Sequence, residues 1–295
     1  MRILVDMDFS PASLELVRSL EAEYGANNIT CVSLKLVNGE LETKEAEIKN
    51  YSKFFSEDVL SAAIAAYRRG ELLSPCFVCA QRGIVQYLFD EAQRAGCEKI
   101  ATTCNLPLMG EFHRELFLVR TSTTDANLSS SHCSCPFKSG DYRTYLANIA
   151  GYGKAGNFIY NNAVVGKHTG VLKYIVGQHN LADELETHFT QMLYIKALDV
   201  NSGDIMLADK AEMFFRILWL KDCVFYAGAP VLGEVDVVLR SKLPAKPLPC
   251  IMERRLDGTA RVLLDKAQFA LQAGQLVKFF VNDTLIGGGV VERSG

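Results

Sequence analysis

Two rhythms of apolar residues divide this chain. In its first part Leu14, Val17, Leu20 and Tyr24 recur every three or four positions. Phe54, Phe55, Val59, Leu60, Ala63, Ile64 and Tyr67 do the same, as do Ile84, Val85, Leu88 and Phe89. That spacing gathers them on one side of a helix. It predicts helices opened by Ser10-Pro11, over Lys44–Gly70 and over Arg82–Ala95, with Gly25, Gly70 and Gly96 as stops. Short apolar runs at Arg2–Met7, Thr30–Leu36 and Lys99–Thr103 read as strands between them. Strand, helix and strand in that order imply a parallel α/β sheet. From about Gln191 the rhythm shortens to two. Leu193–Val200, Val235–Arg240, Leu248–Arg255, Arg261–Leu264, Leu276–Val281 and Thr284–Val291 alternate, with turns at Asn201-Ser202-Gly203 and Asp257-Gly258. Short, regularly spaced strands of this kind predict a small barrel.

The Ser/Thr/Asn-rich stretch Thr121–Ser134 is the clearest break, and a short helix follows Asp141-Tyr142-Arg143. The expected organisation is an α/β N-terminal domain over 1–128, a small central linker domain over 129–190, and a C-terminal all-β barrel over 191–295. A length of 295 residues with 49% hydrophobic content suits two or three such cores. No apolar run approaches the roughly 20 residues of a membrane span, and the early charges Arg2 and Asp6 are unlike a signal peptide. A cytoplasmic protein without a membrane partner is expected. The net charge of −3 supplies no global attraction for nucleic acid. Any such site must be a local basic patch, for which Arg240, Lys242, Arg254 and Arg255 are candidates.

Nine cysteines are an odd number, which argues against a disulfide scaffold. Cys31, Cys97, Cys223 and Cys250 lie among apolar neighbours and read as packing residues. Four others are clustered, Cys76 and Cys79 in Ser74–Cys79 and Cys133 and Cys135 in His132–Cys135, the first pair on a loop opened by Pro75. A C-x-x-C and a C-x-C together suit a soft metal, either tetrahedral zinc or an iron–sulfur cluster. They equally suit thiols that relay sulfur, with Arg82 and His132 near in sequence to stabilise thiolate. Inert thiols or an incidental disulfide are the third reading. Cys104, at the carboxyl end of a strand, is a fifth thiol in reach of a ligand crevice. The first strand-to-helix turn, Asp6-Met7-Asp8-Phe9-Ser10-Pro11, has no glycine and two carboxylates. It reads as a capped helix start rather than a phosphate cradle.

Val165-Gly166-Lys167-His168-Thr169-Gly170 with Tyr174-Ile175-Val176-Gly177-Gln178 resembles the G-x-H-x-G and Y-T-I-G-Q-R-K-G-L segments of bacterial tRNA-specific 2-thiouridylases. Pro75–Cys79 is similar to that family's N-P-C-x-x-C-N loop. Cys133-Ser134-Cys135-Pro136 and Gly140-Asp141-Tyr142-Arg143 resemble its C-F-V-P-D-G-D-Y-R. Gly274-Gln275 and Ile286–Gly289 resemble its P-G-Q and L-G-G-G. The resemblance implies a reduced ATP-pyrophosphatase-type α/β domain and a barrel. It also implies adenylation of C2 of a tRNA uridine, followed by sulfur delivery from a cysteine persulfide. By position Cys133 would carry the persulfide and Cys79 would resolve it. In related thiolation enzymes three cysteines hold a [4Fe–4S] cluster, which puts Cys76, Cys79, Cys133 and Cys135 forward as ligands, with zinc as the alternative. Lys167, His168, Gln178 and His179 would meet tRNA, together with Arg240 and Lys242, and a sulfur-donor protein would be a second partner.

The departures fall on the ATP side. Asp8–Leu14 has lost both glycines of the family's phosphate loop, and Ala12 stands where its aspartate would be. The segment carrying K-D-Q-S has no counterpart between Asn105 and Ser129, and His179-Asn180 replaces two cationic residues. The expected function is tRNA 2-thiouridylase-like sulfur transfer without ready use of ATP. The competing expectations are a non-catalytic tRNA- or partner-binding paralogue with a cysteine-bound metal, and sulfur delivery without RNA.

Overall fold

The first apolar run is the centre of a parallel sheet. In the structure, a computed structural model, β1 (Ile3–Asp6) is buried along its whole length between β2 (Ile29–Lys35) and β4 (Lys99–Thr102). β3 (Glu47–Asn50) and β5 (Phe117–Leu118) complete the order β3-β2-β1-β4-β5, every pairing parallel. The residues described are 1–36, 46–79, 84–102, 117–118, 137, 141–181, 183–186, 189–226, 228–239, 247–282 and 284–295. They form two compact units, residues 1–63 with 75–145, and residues 64–74 with 146–295.

In the first unit α1 (Pro11–Tyr24) returns the chain from β1 to β2. Its start is the one the sequence predicts: Ser10 Oγ accepts the Ser13 amide at 3.1 Å, and Pro11 occupies the first turn, where no amide partner is needed. Leu20 packs on Ile3, Val5 and Ala101. The chain then moves outward to β2 and β3 before returning to the other side of β1 at β4. The carboxyl ends of β1 and β4 therefore flank the reversal point, where open α/β sheets place ligands.

Two expectations change here. The helix predicted over Lys44–Gly70 begins later, because Glu47–Asn50 pairs with Val32–Lys35 as β3. Asn50 Oδ1 then accepts the Ser52 amide at 3.1 Å and starts α2 (Ser52–Phe54). α2 runs through a π-helical turn, Phe55–Leu60, into α3 (Ser61–Arg68). The C-x-x-C segment is not a loop but a short helix, α4 (Pro75–Cys79), with proline at its first position. α5 (Val85–Arg94) follows, and α6 (Tyr142–Ala150) starts where Asp141 Oδ1 accepts the Thr144 amide at 3.1 Å.

The second unit is all-β apart from short helical pieces. β6 (Gly156–Tyr160), β7 (Ala163–His168), β8 (Leu193–Leu198) and β9 (Ile205–Asp209) form a sheet in the order β7-β6-β9-β8. The barrel begins at Phe214. β10 (Phe214–Phe225), β11 (Leu232–Leu239), β12 (Leu248–Arg254), β13 (Ala260–Phe269), β14 (Leu276–Val281) and β15 (Thr284–Ser294) close antiparallel in the order β10-β13-β12-β11-β14-β15. Leu218, Val237, Met252, Val262, Leu264 and Phe279 fill its interior. Alternation is the reason they can: successive side chains of a strand point to opposite faces. β10 escapes the sequence pattern because its register shifts between Phe215 and Ile217, which breaks the alternation. Among the described residues no helix is long and apolar enough to cross a membrane.

Gln272 is a joint of this unit. Its Nε2 donates to the Gly70 carbonyl at 2.8 Å and its Oε1 accepts the Val176 amide at 3.2 Å. Gln272→Leu is expected to cost about 2–4 kcal/mol by leaving both backbone groups without those bonds. Urea unfolding checks this, with Gln275→Leu, which removes the acceptor of the Gln272 amide, as the comparison.

Candidate functional site

Three places bear on function, two in the first unit and one in the second. The turn after β1 decides the phosphate question. Thr102 Oγ1 donates to Asp6 Oδ2 at 3.0 Å across β1 and β4, and Asp6 and Asp8 are both buried. Four amides around the turn are taken internally. Met7 N–H goes to the Val32 carbonyl at 2.8 Å, Ser10 N–H to Asp8 Oδ1 at 2.9 Å, Ser13 N–H to Ser10 Oγ and Leu14 N–H to the Ser10 carbonyl at 3.0 Å. Phe9 holds φ at 59°, a left-handed conformation that favours glycine, and puts a bulky ring in the turn. Donors already used, two carboxylates and an aromatic side chain do not fit a triphosphate.

The second place is α4. Its helical turn places Cys79, half-buried and not in a disulfide, beside Tyr51. Tyr51 is buried, with its ring 4.3 Å from that of Tyr87 and 4.6 Å from that of Phe54. Burial first, and then the neighbouring Cys79, Tyr87, Asp58 and Asp90, push its phenol well above the usual range, so it stays protonated. Glu91, buried behind Tyr87, is held by Lys49 at 3.1 Å and by Arg94. α4 packs on the π turn. A cleft of about 430 Å3 opens beside that turn, lined by Leu36, Ser52, Lys53, Phe55, Glu57 and Tyr145. It lies at the carboxyl ends of β2 and β3, the ligand edge of such a sheet. Of the other sulfur candidates, Cys76 is described in its backbone alone. Arg82, Cys104, His132, Cys133 and Cys135 lie outside the described residues. Among the described residues no group of three or more His, Cys, Asp or Glu side chains is placed to hold a metal ion. Cys223 and Cys250 have thiols pushed up to about 12, chiefly by burial, as packing residues should.

The third place is the glycine-flanked segment Val165–Gly170 in β7. Here most of the motif serves packing. Gly166 lies against the Glu184 carbonyl so closely that a Cβ could not be accommodated, and Gly170 lies against Tyr152, where a Cβ would be 2.7 Å from its backbone oxygen. His168 is buried, not exposed to a ligand. Its ring meets Phe158 at 5.1 Å and Tyr174 at 5.4 Å edge-on, and its Nδ1 accepts the Gly170 amide at 3.2 Å. Burial holds its pKa below the ordinary histidine value. Lys167 and His179 are exposed and Gln178 half-exposed. Lys173 adds a cation that sequence reasoning missed. It donates to Thr169 Oγ1 at 2.7 Å and sits 5.1 Å from the centre of the exposed Tyr152 ring. Arg240 and Lys242 lie outside the described residues.

Comparison with known proteins agrees with this architecture. Residues 25–119 match the family described as tRNA methyl transferase HUP domain, and residues 215–291 match the aminomethyltransferase beta-barrel domain. The tRNA-specific 2-thiouridylase MnmA of Clostridioides difficile strain 630 is 22% identical, over 84% of this chain and 80% of its own. Its counterpart from Moorella thermoacetica is 23% identical over 89% of this chain and 86% of its own. That of Clostridium botulinum strain Alaska E43 is 26% identical over a shorter span, 56% of this chain and 46% of its own.

The depressed pKa of His168 gives a signed prediction. Below about pH 6.5 the unfolded chain takes up a proton on His168 that the folded chain resists. The unfolded state then binds more protons, so stability falls as pH drops. His168→Gln is expected to lower stability by about 1–2 kcal/mol at neutral pH. It should also flatten the change in urea midpoint between about pH 7.5 and about pH 5.5. An unchanged pH slope in the variant would assign that dependence to other groups.

Proposed function

The chain is a divergent member of the tRNA-specific 2-thiouridylase family, and from that premise we propose that it is a tRNA-acting sulfur-transfer protein whose working thiols are Cys79 and Cys133. The observation that carries the reading is the placement of Cys79. It is a half-buried thiol outside any disulfide, on a short helix packed beside the ligand edge of the HUP-type sheet. In this reading Cys133 carries a persulfide. Its terminal sulfur attacks a substrate carbon that arrives already activated as an adenylate, and the carbon–oxygen bond breaks with AMP as the leaving group. The Cys79 thiolate then attacks the Cys133 sulfur and breaks the S–S bond, so that thiolated product leaves and a Cys79–Cys133 disulfide remains to be reduced. Cys76 and Cys135 are the further ligands if the thiols hold a [4Fe–4S] cluster. Lys167, Lys173, Gln178 and His179 are the tRNA contacts proposed in the second unit, with Arg240 and Lys242, and a protein sulfur donor loads the carrier. No adenylation step is assigned to the turn after β1, because four of its amide donors are already used and two buried carboxylates face it.

That same turn favours a second reading, a non-catalytic tRNA- or partner-binding relative whose cysteines hold zinc. Anaerobic purification separates the two. Sulfane sulfur, or iron with acid-labile sulfide, is expected on the wild type and absent from Cys133→Ala. Cys79→Ala is expected to abolish sulfur release while retaining persulfide on Cys133, or to lose the iron if a cluster is present. Zinc without sulfane sulfur in the wild type overturns sulfur transfer and leaves the binding reading. Retention of a tRNA transcript on a filter, weakening steeply with added salt, is expected under both.

A further inference from the structure

The outer wall of the barrel carries a row of one aromatic and two cationic side chains. Over Ile217–Lys221, past its first register shift, β10 alternates, so Leu218 and Leu220 are buried inside and Trp219, between them, points outward. Trp219 is the sole tryptophan of the chain. Arg261 on β13 stands directly opposite it on one side and Arg293 on β15 on the other. The second arginine gets there through a register shift. Leu220 pairs with Val291 but Trp219 pairs with Arg293, which leaves Glu292 as the extra residue of a bulge. Bulges re-aim side chains in this way. The Arg293 guanidinium lies over the indole, 3.6 Å from the ring centre.

One cation–π pair means little, since such pairs are common. The row is the unusual feature. Two exposed arginines flank one tryptophan across three hydrogen-bonded strands, and neither is in an ion pair among the described residues. Glu253 faces Arg261 in register and Glu292 adjoins Arg293, but neither carboxylate bonds to them. Glu234, Asp236 and Asp265, together with Arg216, line a separate groove of about 450 Å3 on the barrel. At the row a polyanion would meet two exposed guanidiniums with an indole between them.

We infer that the row Arg261–Trp219–Arg293 binds an unpaired stretch of RNA, one base extending the stack of Trp219 and Arg293 and the guanidiniums meeting the neighbouring phosphates. An unpaired base suits this wall because every base has a π face, and flat arginines add both stacking and charge. The inference rests on the tRNA reading above and names where on the barrel the RNA lies.

Trp219 reports on its own site. Its fluorescence is expected to quench saturably on titration with a tRNA transcript and with a uridine-rich single-stranded oligonucleotide. Arg261→Ala and Arg293→Ala, which keep the reporter, are expected to weaken tRNA retention on a filter by about 5–20-fold each. Trp219→Phe should stay within about threefold of wild type and Trp219→Ala should lose about tenfold, an order the stacking role requires. If tRNA is retained while fluorescence and both arginine variants stay unchanged, the row is not the site and the tRNA reading stands. If the oligonucleotide quenches but no tRNA is retained, the row binds RNA and the tRNA reading falls. Absence of both overturns both.

Discussion

Three stretches of chain far apart in sequence meet at one buried carboxamide. Gln272 holds the Gly70 carbonyl, the Val176 amide and, through its own N–H, Gln275 Oε1. The joint works only because residue 274 is a glycine. Its φ is 88°, and a Cβ there would lie 2.5 Å from the Leu72 nitrogen and 2.6 Å from that of Leu73. The same approach lets Leu72 N–H reach the Ala273 carbonyl at 2.8 Å. Residues 64–74, the four-stranded sheet and the barrel are thereby one unit. The Gly274-Gln275 resemblance is thus a signature of assembly, with no reacting atom in it.

The other glycine motifs carry the same lesson. Gly166 and Gly170 admit a carbonyl and a tyrosine, and His168 ties the turn between them from inside. A Cβ on Gly287 would lie 2.5 Å from the Val224 carbonyl oxygen, and one on Gly289 would lie 2.6 Å from the Cys223 sulfur, where β15 crosses the irregular part of β10. Residues that pack cannot drift without loss of fold, because buried positions tolerate neither added volume nor unpaired polar groups. Surface and loop chemistry can. That contrast suits a chain that matches the HUP and barrel models at 22–23% identity to its relatives while its first strand-to-helix turn lies outside both matches.

What separates this turn from a phosphate loop is hydrogen-bond allocation. A phosphate loop leaves its amides open for the ligand. Here Asp8 and Ser10 supply the acceptors from within the turn. An incoming phosphate would have to break these bonds and approach two carboxylates.

Local rules determined much from the sequence alone: the buried β1, the Ser10–Pro11 helix start, the α/β order, the alternating strands and the family itself. Each rests on neighbours within a few residues or on a motif that packs. Only the tertiary structure decided what depends on partners distant in sequence. Glu47–Asn50 is a strand because β2 is beside it. Pro75–Cys79 is helical rather than a loop, packed on the π turn. The longest barrel strand, β10, was masked by a shifted register. His168 read as a surface ligand because its motif is polar, yet Phe158 and Tyr174 bury it. Trp219, Arg261 and Arg293 are scattered in sequence, and pairing across three strands brings them side by side. Strand pairing joins residues that no local pattern relates.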